Sequence, residues 1–454
     1  MEKGTTVGSQ KIAALFDAGT FVETGAFMRR ADGEMTGVVC GYGAIGGKLV
    51  YAFSQDCDRK KGAFDAYQAE KIAKLYELAM KNGAPVIGMF DSAGVVVDDG
   101  VSAMSAYGKF LKTVSDASGV IPQIALITGV CAGMSATVAA MFDVVVAIKE
   151  KTKLYVNAPF LVGKDVGVAE TTMQSGLSSV LAEDEAEAIA KAQKLIDLLP
   201  ANNEEGSVCN ENSDDENRVV AIDGIVGKDL ISTVADAASF VELGEGYADE
   251  MITGFATFGG VTCGIVANNS AKNNGVLTVD GAKKAAKLVS LCDSFSIPVV
   301  TLTDSTGVEL SAEAENAPLA AQLGKLAMAY ASATTAKVTV VAGKAYGAAF
   351  TLMGSKALGA DMVYALPEAE ISVMAPASAV AFLWNDQITE DKTRADLEAE
   401  WVEKYASATA AAADGSIDDV IAPAELRQRI CAAIYMLMMK NGSAPVRKHC
   451  NLPL

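Results

Sequence analysis

The most constraining feature of this sequence is that its two halves carry the same series of segments in the same order. The segment PVIGMFDSAGV at residues 85–95 returns as PVVTLTDSTGV at residues 298–308. GYGAIGG, which begins at Gly41, recurs at the same separation as GFATFGG from Gly254. A duplication of this length predicts two copies of one domain, with sites at equivalent places in each copy.

Length and composition are typical of a two-domain α/β protein. The chain has 454 residues, of which 51% are hydrophobic and 6% aromatic, with 41 glycines. The formal net charge of −19 argues against nucleic acid as a partner, because phosphate neutralisation needs a basic surface. The 8 cysteines form no C-x-x-C pair, which indicates buried thiols in a reducing compartment. The first residues, MEKGTTVGSQ, contain no apolar signal segment, so we expect a cytoplasmic protein.

Each copy is interpreted as a series of alternating strands and helices. A Gly-Gly pair, at residues 46–47 and again at 259–260, predicts a β-hairpin. The segment AEKIAKLYELAMKNG has apolar positions at helical spacing and ends at Gly83, a favoured stop. Short apolar strands at residues 86–90 and 299–302 then lead to an Asp-Ser pair. This alternation predicts a mostly parallel sheet flanked by helices.

Residues 125–142 are uncharged and long enough to suggest a membrane span. They include Gly129 and Gly133, and the corresponding segment of the second copy carries Lys344. We therefore expect a buried strand, a turn and a helix here instead.

The two copies are separated by an acidic segment. Residues 201–218 are polar and have no apolar periodicity, which predicts an exposed linker. We expect an N-terminal domain over residues 1–200 and a C-terminal domain over residues 219–454.

Two common signals are set aside. Residues 41–46 match G-x-G-x-x-G but lie between two β-rich segments with no helix after them, so a hairpin is favoured over a dinucleotide site. The sole histidine, His449, stands five residues from the end, which argues against imidazole-based catalysis. Clustered ligands for zinc are also missing from the sequence, so we expect no metal site.

Four turns rich in small residues are stronger candidates for chemistry. They are DSAGV at Asp91, CAGMSA at Cys131, DSTGV at Asp304 and AYGAAF at Ala345. Glycine and alanine leave backbone N–H groups accessible to a ligand. At a helix N-terminus these groups are unpaired and lie at the positive end of the helix dipole. The turns therefore either form oxyanion holes or allow close packing of helix on sheet, and the residues alone leave both interpretations open.

These turns occur with FVETGAF, GAPVIGMFDSAG, AKVTVVAGKAYGAAF and LMGSKALGADMVYALPEAEISVM, in an order that resembles the carboxyltransferase subunits of biotin-dependent acyl-CoA carboxylases. The sequence equally resembles the carboxyltransferase subunits of sodium-pumping acyl-CoA decarboxylases. The resemblance covers almost the whole chain. It implies two tandem crotonase-like domains, each a β-β-α superhelix of the ClpP/crotonase type. It also implies an active site between the N-terminal half of one subunit and the C-terminal half of another.

The resemblance implies a reaction in which a carboxyl group moves between biotin and a short acyl-CoA of the acetyl or propionyl type. In the family the N-terminal half largely holds the acyl-CoA and the C-terminal half the biotin. Both intermediates are enolates, so backbone N–H groups suffice and no histidine is needed. By position, Ala93 and Gly94 are implied to support the biotin oxygen, and Ala348 and Ala349, preceded by Gly347, the thioester oxygen.

The chain departs from the family at several of these places. The arginine of the family's DSGGAR loop reads Val96, and an arginine before a later helix reads Gln322. The aspartate beside the second hole, which the family links to acyl-chain choice, reads Thr351. The basic run CDRKKG either meets CoA phosphates or is a solvated turn. The expected substrate-binding residues are Arg59, Lys60, Lys61, Ala132, Gly133, Met134, Gly307, Val308 and Thr351.

The partners implied are a biotin carboxyl carrier protein together with a biotin carboxylase or a membrane decarboxylase subunit. No A-M-K-M attachment sequence occurs, so biotin is expected on a separate chain. A homo-oligomer, hexameric or dimer-based, is expected as well. Two alternatives stay open. One is decarboxylation of a malonyl- or methylmalonyl-type CoA coupled to a sodium pump, and the other is a non-catalytic scaffold subunit.

Overall fold

The computed structural model describes residues 6–163, 166–442 and 451–453. It divides into two units, Met1–Gly206 and Ser207–Leu454. Within the described residues each unit contains one eight-stranded sheet with helices packed against it. The sole histidine, His449, lies outside the described residues.

The first unit contains eight strands and seven α-helices among its described residues. The strands are β1 Val22–Thr24, β2 Val38–Ile45, β3 Lys48–Gln55, β4 Val86–Ser92, β5 Gln123–Ala132, β6 Val144–Ile148, β7 Lys153–Tyr155 and β8 Val180–Ala182. The helices are α1 Val7–Leu15, α2 Ala66–Asn82, α3 Val101–Ala117, α4 Met134–Ala140, α5 Pro159–Val162, α6 Ala169–Gln174 and α7 Glu185–Leu198. Short 3₁₀ turns cover Lys60–Gly62 and Val97–Asp99.

The second unit repeats this order with two additional α-helices among its described residues. Its strands are β9 Val241–Leu243, β10 Met251–Phe258, β11 Val261–Asn268, β12 Val299–Ser305, β13 Lys337–Tyr346, β14 Met362–Ala365, β15 Glu370–Ser372 and β16 Asp419–Val420. Its helices are α8 Gly227–Val234, α9 Val279–Ser294, α10 Ala312–Asn316, α11 Leu319–Ser332, α12 Ala348–Leu352, α13 Pro376–Leu383, α14 Arg394–Trp401, α15 Ala408–Ala413 and α16 Leu426–Leu437. Short 3₁₀ turns cover Asn273–Gly275, Lys356–Leu358, Asn385–Gln387 and Pro423–Glu425, and a π-helical turn covers Val402–Ala406.

The two sheets have equivalent topologies. The first has the order β1-β2-β3-β4-β5-β6-β8, with β7 paired to β5. The second has the order β16-β14-β13-β12-β11-β10-β9, with β15 paired to β13. In each sheet the three leading strands pair antiparallel and the remaining pairs are parallel. The predicted α/β class with a mostly parallel sheet is therefore confirmed.

Local sequence signals determine several of these elements. Gly46 and Gly47 both have positive φ, 57° and 79°, and connect β2 to β3 in the two-residue turn that such glycines favour. Asp65 caps the N-terminus of α2 by accepting from the Gln68 N–H, and Gly83 ends the helix in the left-handed conformation. The predicted hairpin and helix are both confirmed.

The longest uncharged stretch is a buried strand followed by a helix. Residues 125–142 fall on β5 and α4, as expected. Among the described residues no helix is long and apolar enough to cross a membrane.

The acidic segment between the copies is largely exposed, but part of it is hydrogen bonded to the second unit. The division into units falls within it, after Gly206. The Thr262 N–H donates to the Val208 carbonyl at 2.9 Å, and the Asn210 N–H donates to the Gly260 carbonyl at 2.9 Å. Residues 208–210 therefore pair with the β10–β11 hairpin, within the segment that the sequence predicts to be an exposed linker.

Candidate functional site

An aspartate stands where β4 and β5 leave regular pairing. Their register shifts on either side of Asp91, which places this residue at a bulge. The Asp91 carboxylate accepts hydrogen bonds from the Val130 N–H at 3.3 Å and from the Lys11 ammonium at 3.2 Å. The carboxylate therefore links α1, β4 and β5 beside the first small-residue loop.

The second unit repeats this arrangement. The Asp304 carboxylate accepts from the Lys344 N–H at 2.9 Å. A glycine is required beside each carboxylate, because a Cβ on Gly129 or Gly343 would lie 2.3 Å from the oxygen of Asp91 or Asp304, respectively. The same contact within each unit explains why a glycine recurs at this position in both copies.

A left-handed turn packs against each aspartate. Lys60, Lys61 and Gly62 have φ of 47°, 54° and 68°, and Asn273–Gly275 repeats the conformation. Asparagine tolerates this region, whereas lysine there costs about 1–2 kcal/mol per residue. A Cβ on Gly62 would lie 1.9 Å from the Asp91 carbonyl oxygen, so only glycine completes the turn.

The backbone N–H groups of the loop after Asp91 already have acceptors. The Ala93 N–H donates to the Lys61 carbonyl at 3.0 Å, and the Gly94 N–H donates to the Ser92 hydroxyl at 3.3 Å. The N–H of Ala93, which the resemblance implies as a donor to the biotin oxygen, is thus bonded within the chain in this structure. The loop also does not open a helix directly, since α3 begins only at Val101.

The equivalent loop in the second unit is closed in the same way. The Thr306 N–H donates to the Asn274 carbonyl at 3.3 Å, and the Gly307 N–H donates to the Ser305 hydroxyl at 3.2 Å. Val308, the next residue of the loop, pairs with Leu277 in an isolated parallel bridge. In both units the first loop is therefore a closed turn rather than a row of free donors.

Free donors lie instead at the start of α4. Ala132 ends β5, and Gly133 turns the chain with φ of 63°. The Gly133 N–H donates to the Tyr155 carbonyl at 2.9 Å. Met134 and Ser135 follow in the first helical turn, where N–H groups have no intrahelical partner. Among the described residues no acceptor is found for either N–H.

The start of α12 is equivalent. Gly347 has φ of 55°, and its N–H donates to the Ser372 carbonyl at 2.8 Å, so Gly347 shapes the turn instead of supplying a donor. The N–H groups of Ala348 and Ala349 likewise have no acceptor among the described residues. Thr351 is exposed on the same short helix, one turn later.

The alanines in these turns adopt a backbone conformation that is unstrained for a residue with a Cβ. An alanine can replace a glycine there only where φ stays negative. Ala93, Ala348 and Ala349 all have negative φ, and the positive values fall on Gly94, Gly133, Gly307 and Gly347.

Two side chains beside the turns that could act as nucleophiles, Cys57 and Tyr346, are neutral. Burial, reinforced by the Asp91 carboxylate, raises the pKa of the Cys57 thiol, so this cysteine is not a thiolate at neutral pH. Burial and a hydrogen bond to Glu370 raise the pKa of the Tyr346 hydroxyl. Hydrogen-bond donation, and not a charged nucleophile, is therefore the chemistry available at these turns.

A cavity of mixed charge lies beside the left-handed turn of the first unit. Its volume is about 260 Å³, and its lining includes the cations Arg30, Arg59 and Lys60 together with the carboxylates Glu34 and Asp58. The Arg59 guanidinium is paired with Glu34 at 2.6 Å, whereas Lys60 and Lys61 are exposed. The structure thus brings Arg59 and Lys60 together at one cavity. Among the described residues no group of three or more metal-ligating side chains is found.

Two positions where the sequence departs from the family pattern are occupied by buried side chains. Val96 is 5% exposed, and Gln322 is 9% exposed with no hydrogen-bond partner for its Oε1 atom in the described chain. Neither side chain supplies a positive charge to the turns.

Comparison with known proteins identifies relatives along the whole chain. A family model described as the carboxyl transferase domain matches residues 1–452. The propionyl-CoA carboxylase beta chain of Roseobacter denitrificans is 35% identical, over 100% of this chain and 94% of its own length. The methylmalonyl-CoA decarboxylase subunit alpha of Propionigenium modestum is also 35% identical, over 99% of this chain and 94% of its own.

The fold matches a solved structure equally well. The crystal structure of transcarboxylase 12S, with methylmalonyl-coenzyme A bound, has a TM-score of 0.93 and 34% identity, and the match covers 100% of this chain and 94% of that one. This match confirms the expected fold of two tandem crotonase-like domains.

Proposed function

This chain belongs to the carboxyl transferase family, and from that premise we propose that it transfers a carboxyl group between carrier-bound biotin and a short-chain acyl-CoA. The observation that carries the proposal is the pair of equivalent donor sets, Met134–Ser135 in one unit and Ala348–Ala349 in the other. A reaction with two carbonyl oxygens that become negative needs two such sets.

We assign the thioester oxygen of the acyl-CoA to Ala348 and Ala349. Their N–H groups would stabilise the negative charge that develops on this oxygen when the α-carbon loses a proton or a carboxyl group. One such donor contributes about 3–4 kcal/mol in a site that excludes water. Because the donors are fixed at the start of a helix, they need little reorganisation during the reaction.

The residues present also fit biotin. The N–H groups of Met134 and Ser135 offer its ureido oxygen two neutral donors. Gly94 follows the bulge at Asp91, where Ser92 pairs with Cys131 of the strand that leads to these donors. When bound, biotin supplies the carboxyl group or accepts it. The expected contribution of Ala93 is limited to shape, since its N–H is bonded to Lys61.

The cavity beside the left-handed turn of the first unit is our candidate for the phosphates of CoA. Arg59 and Lys60 line it, and Lys61 is exposed on the same turn. Lysines persist here in a left-handed turn where the second unit has asparagines, although asparagine is the less strained residue. A need for positive charge at this turn accounts for that choice.

We further propose a biotin carboxyl carrier protein as partner, with either a biotin carboxylase or a membrane decarboxylase subunit. The transcarboxylase 12S structure is described as a hexamer assembly, which supports a homo-oligomer for this chain too. All seven cysteines in the described part of the chain are free thiols, which supports a reducing, cytoplasmic setting.

Two observations bear on the alternatives. The carboxylase and decarboxylase relatives are equally similar, at 35% identity each, so both directions of transfer remain candidates. The engaged Ala93 N–H and the buried Val96 and Gln322 favour the scaffold alternative, because they remove groups that the family uses.

The deciding experiment incubates the purified protein with free biotin and either methylmalonyl-CoA or malonyl-CoA. We expect the CoA ester to lose its carboxyl group only when biotin is present. Chromatography of the CoA esters measures this loss. A control without biotin corrects for spontaneous decarboxylation. Absence of biotin-dependent turnover, with a carrier-domain biotin as well as with free biotin, would support the scaffold and reject the enzyme.

A further inference from the structure

The two turns of the first unit's donor site come from different parts of the chain. The loop with Gly94 follows β4, and the donors Met134 and Ser135 follow β5. The Gly94 loop borders the donor turn, because a Cβ on Gly94 would lie 3.7 Å from the Ala132 carbonyl oxygen. Donors act on a bound oxygen only when the elements around them hold their position closely. A side chain that contacts both turns is therefore of interest.

Tyr107 on α3 contacts the start of α4. Its hydroxyl lies 2.7 Å from the Ser135 hydroxyl. Both residues are fully buried, with Tyr107 1% and Ser135 0% exposed. Ser135 is the second residue of α4, and its backbone N–H is one of the two proposed donors. The hydrogen bond thus fixes the orientation of the first turn of this helix.

The ring of Tyr107 contacts the segment that holds the other loop. It packs against Phe64 in a tilted arrangement, with ring centroids 4.5 Å apart. Phe64 donates its N–H to the Gly94 carbonyl at 2.7 Å and accepts from the Val96 N–H at 3.0 Å. Burial raises the pKa of Tyr107 to about 12, partly offset by the hydroxyls of Ser135 and Ser92. The phenol therefore stays protonated.

The second unit has the backbone part of this arrangement without the side chains. Leu277 replaces Phe64, and it also donates its N–H to the loop, at the Gly307 carbonyl, at 2.9 Å. Ala349 occupies the position of Ser135 and has no hydroxyl. The link between helix and turns is therefore specific to the first unit, although both units share one fold.

We propose that Tyr107 is a positioning residue, which keeps the α4 donors and the Gly94 loop in register through Ser135 and Phe64. The expected fall in kcat rests on the proposed function, whereas the expected loosening of α4 does not. A substitution that removes the hydroxyl should loosen the first turn of α4 and misplace the Ser135 N–H.

The test uses Tyr107→Phe, Ser135→Ala and the double variant in the full chain. In hydrogen exchange by mass spectrometry, peptides that cover residues 131–140 should exchange faster in Tyr107→Phe than in the parent. With an active parent, kcat should fall about tenfold in each single variant with the KM for acyl-CoA nearly unchanged. The double variant should lose no more than the worse single variant, because both remove one hydrogen bond.

The matched control is Tyr76→Phe. Tyr76 is another buried tyrosine of this unit, and its hydroxyl donates to Gln123 at 2.9 Å, away from the turns. This variant should change neither kcat nor exchange at residues 131–140.

The outcomes separate the two proposals. Unchanged exchange at residues 131–140 in Tyr107→Phe would overturn the positioning role whether or not the parent is active. Faster exchange with a parent that is inactive on every CoA ester would reject the proposed function and leave the structural link supported. Faster exchange with additive losses in the double variant would contradict a shared hydrogen bond.

Discussion

At the scale of single residues, the donor sites depend on which N–H groups the chain leaves unpaired. Gly133 and Gly347 turn the chain with positive φ, and their own N–H groups donate to the carbonyls of Tyr155 and Ser372. The residues that follow, Met134 and Ala348, begin short helices and keep free N–H groups among the described residues. A substitution at these first helical positions can therefore remove a donor with little change to the fold.

We expect Ala348→Pro to reduce carboxyl transfer by about 10²–10³-fold, because proline has no N–H and one lost oxyanion donor has an effect of this size. Proline is well tolerated at the first position of a helix, so the fold should survive. Steady-state kinetics and the thermal unfolding midpoint check both parts. Ala348→Gly is the control, since it retains the N–H group, and near-parental turnover in Ala348→Pro would remove this donor from the mechanism.

Thr351 is the residue at which we expect acyl-chain preference to be altered. It is exposed on α12, one turn beyond the proposed thioester donors. Thr351→Asp adds a charge and should shift kcat/KM among acetyl-, propionyl- and butyryl-CoA, or their carboxylated forms. A pocket distinguishes one methylene by about 1–3 kcal/mol, so the shift should be graded. Identical ratios in parent and variant would place the acyl pocket elsewhere, for instance at residues 308–316.

At the scale of elements, a buried ion pair stabilises the turn of the second unit's β10–β11 hairpin. The Asp236 carboxylate accepts from the N–H groups of Gly259 and Gly260 at 3.0 and 2.8 Å. It also lies 2.6 Å from a guanidinium nitrogen of Arg427, which is 0% exposed on α16. The last helix is thereby bonded to the β10–β11 turn. Breaking a buried pair of this kind costs about 3–5 kcal/mol, because the remaining charge stays buried.

The pH dependence of this contact has a definite sign. Burial raises the pKa of Asp236, but the hydrogen bonds from Gly260, Thr257, Arg427 and Gly259 outweigh burial and lower it below its ordinary value. The contribution to stability is therefore present above the unfolded pKa of about 3.9 and is lost as pH falls through the lower, folded pKa.

We expect Asp236→Asn to lower the unfolding midpoint of the second unit at pH 7 and to flatten its dependence on pH below about 4. Both tryptophans, Trp384 and Trp401, are in this unit, so their fluorescence reports its unfolding. Asp249→Asn, an exposed carboxylate of the same unit, is the control and should shift the midpoint little. If the unfolding midpoints of parent and Asp236→Asn fell equally as the pH was lowered below about 4, the stabilising role of the Asp236 carboxylate would be contradicted.

At the scale of the whole molecule, each unit exposes a short apolar helix at an equivalent place. Phe160 and Leu161 on α5 are 87% and 70% exposed, and Phe382 and Leu383 on α13 are 81% and 52% exposed. Apolar side chains grouped in this way indicate surface that is buried against another chain. Their recurrence in both copies supports the proposed homo-oligomer.

We expect the protein to sediment at micromolar concentration as an oligomer of its 46.9 kDa chain, and Phe382→Glu to release smaller species. The physical reason is that burying a charge without a partner opposes association. Val219→Glu is the control, because Val219 is 76% exposed just after the acidic segment and belongs to neither helix. A parent that sediments as a clean monomer would reject the oligomer.

The sequence by itself determined the duplication, the Gly-Gly hairpins, the helix that ends at Gly83 and the resemblance to the family. These features are local: a positive φ, an apolar period or a helix stop is written in residues that are adjacent along the chain. Glycines in the four small-residue turns have the positive φ that such turns favour, at Gly94, Gly133, Gly307 and Gly347.

Only the tertiary structure decided which of those turns keep free donors. The Ala93 N–H is engaged by Lys61, far away in sequence, because the left-handed turn packs against the loop. The contact between Tyr107 and Ser135 likewise joins two helices that the sequence treats separately. Hydrogen-bond partners of this kind depend on how strands and helices pack across the sheet, which no local pattern of residues specifies.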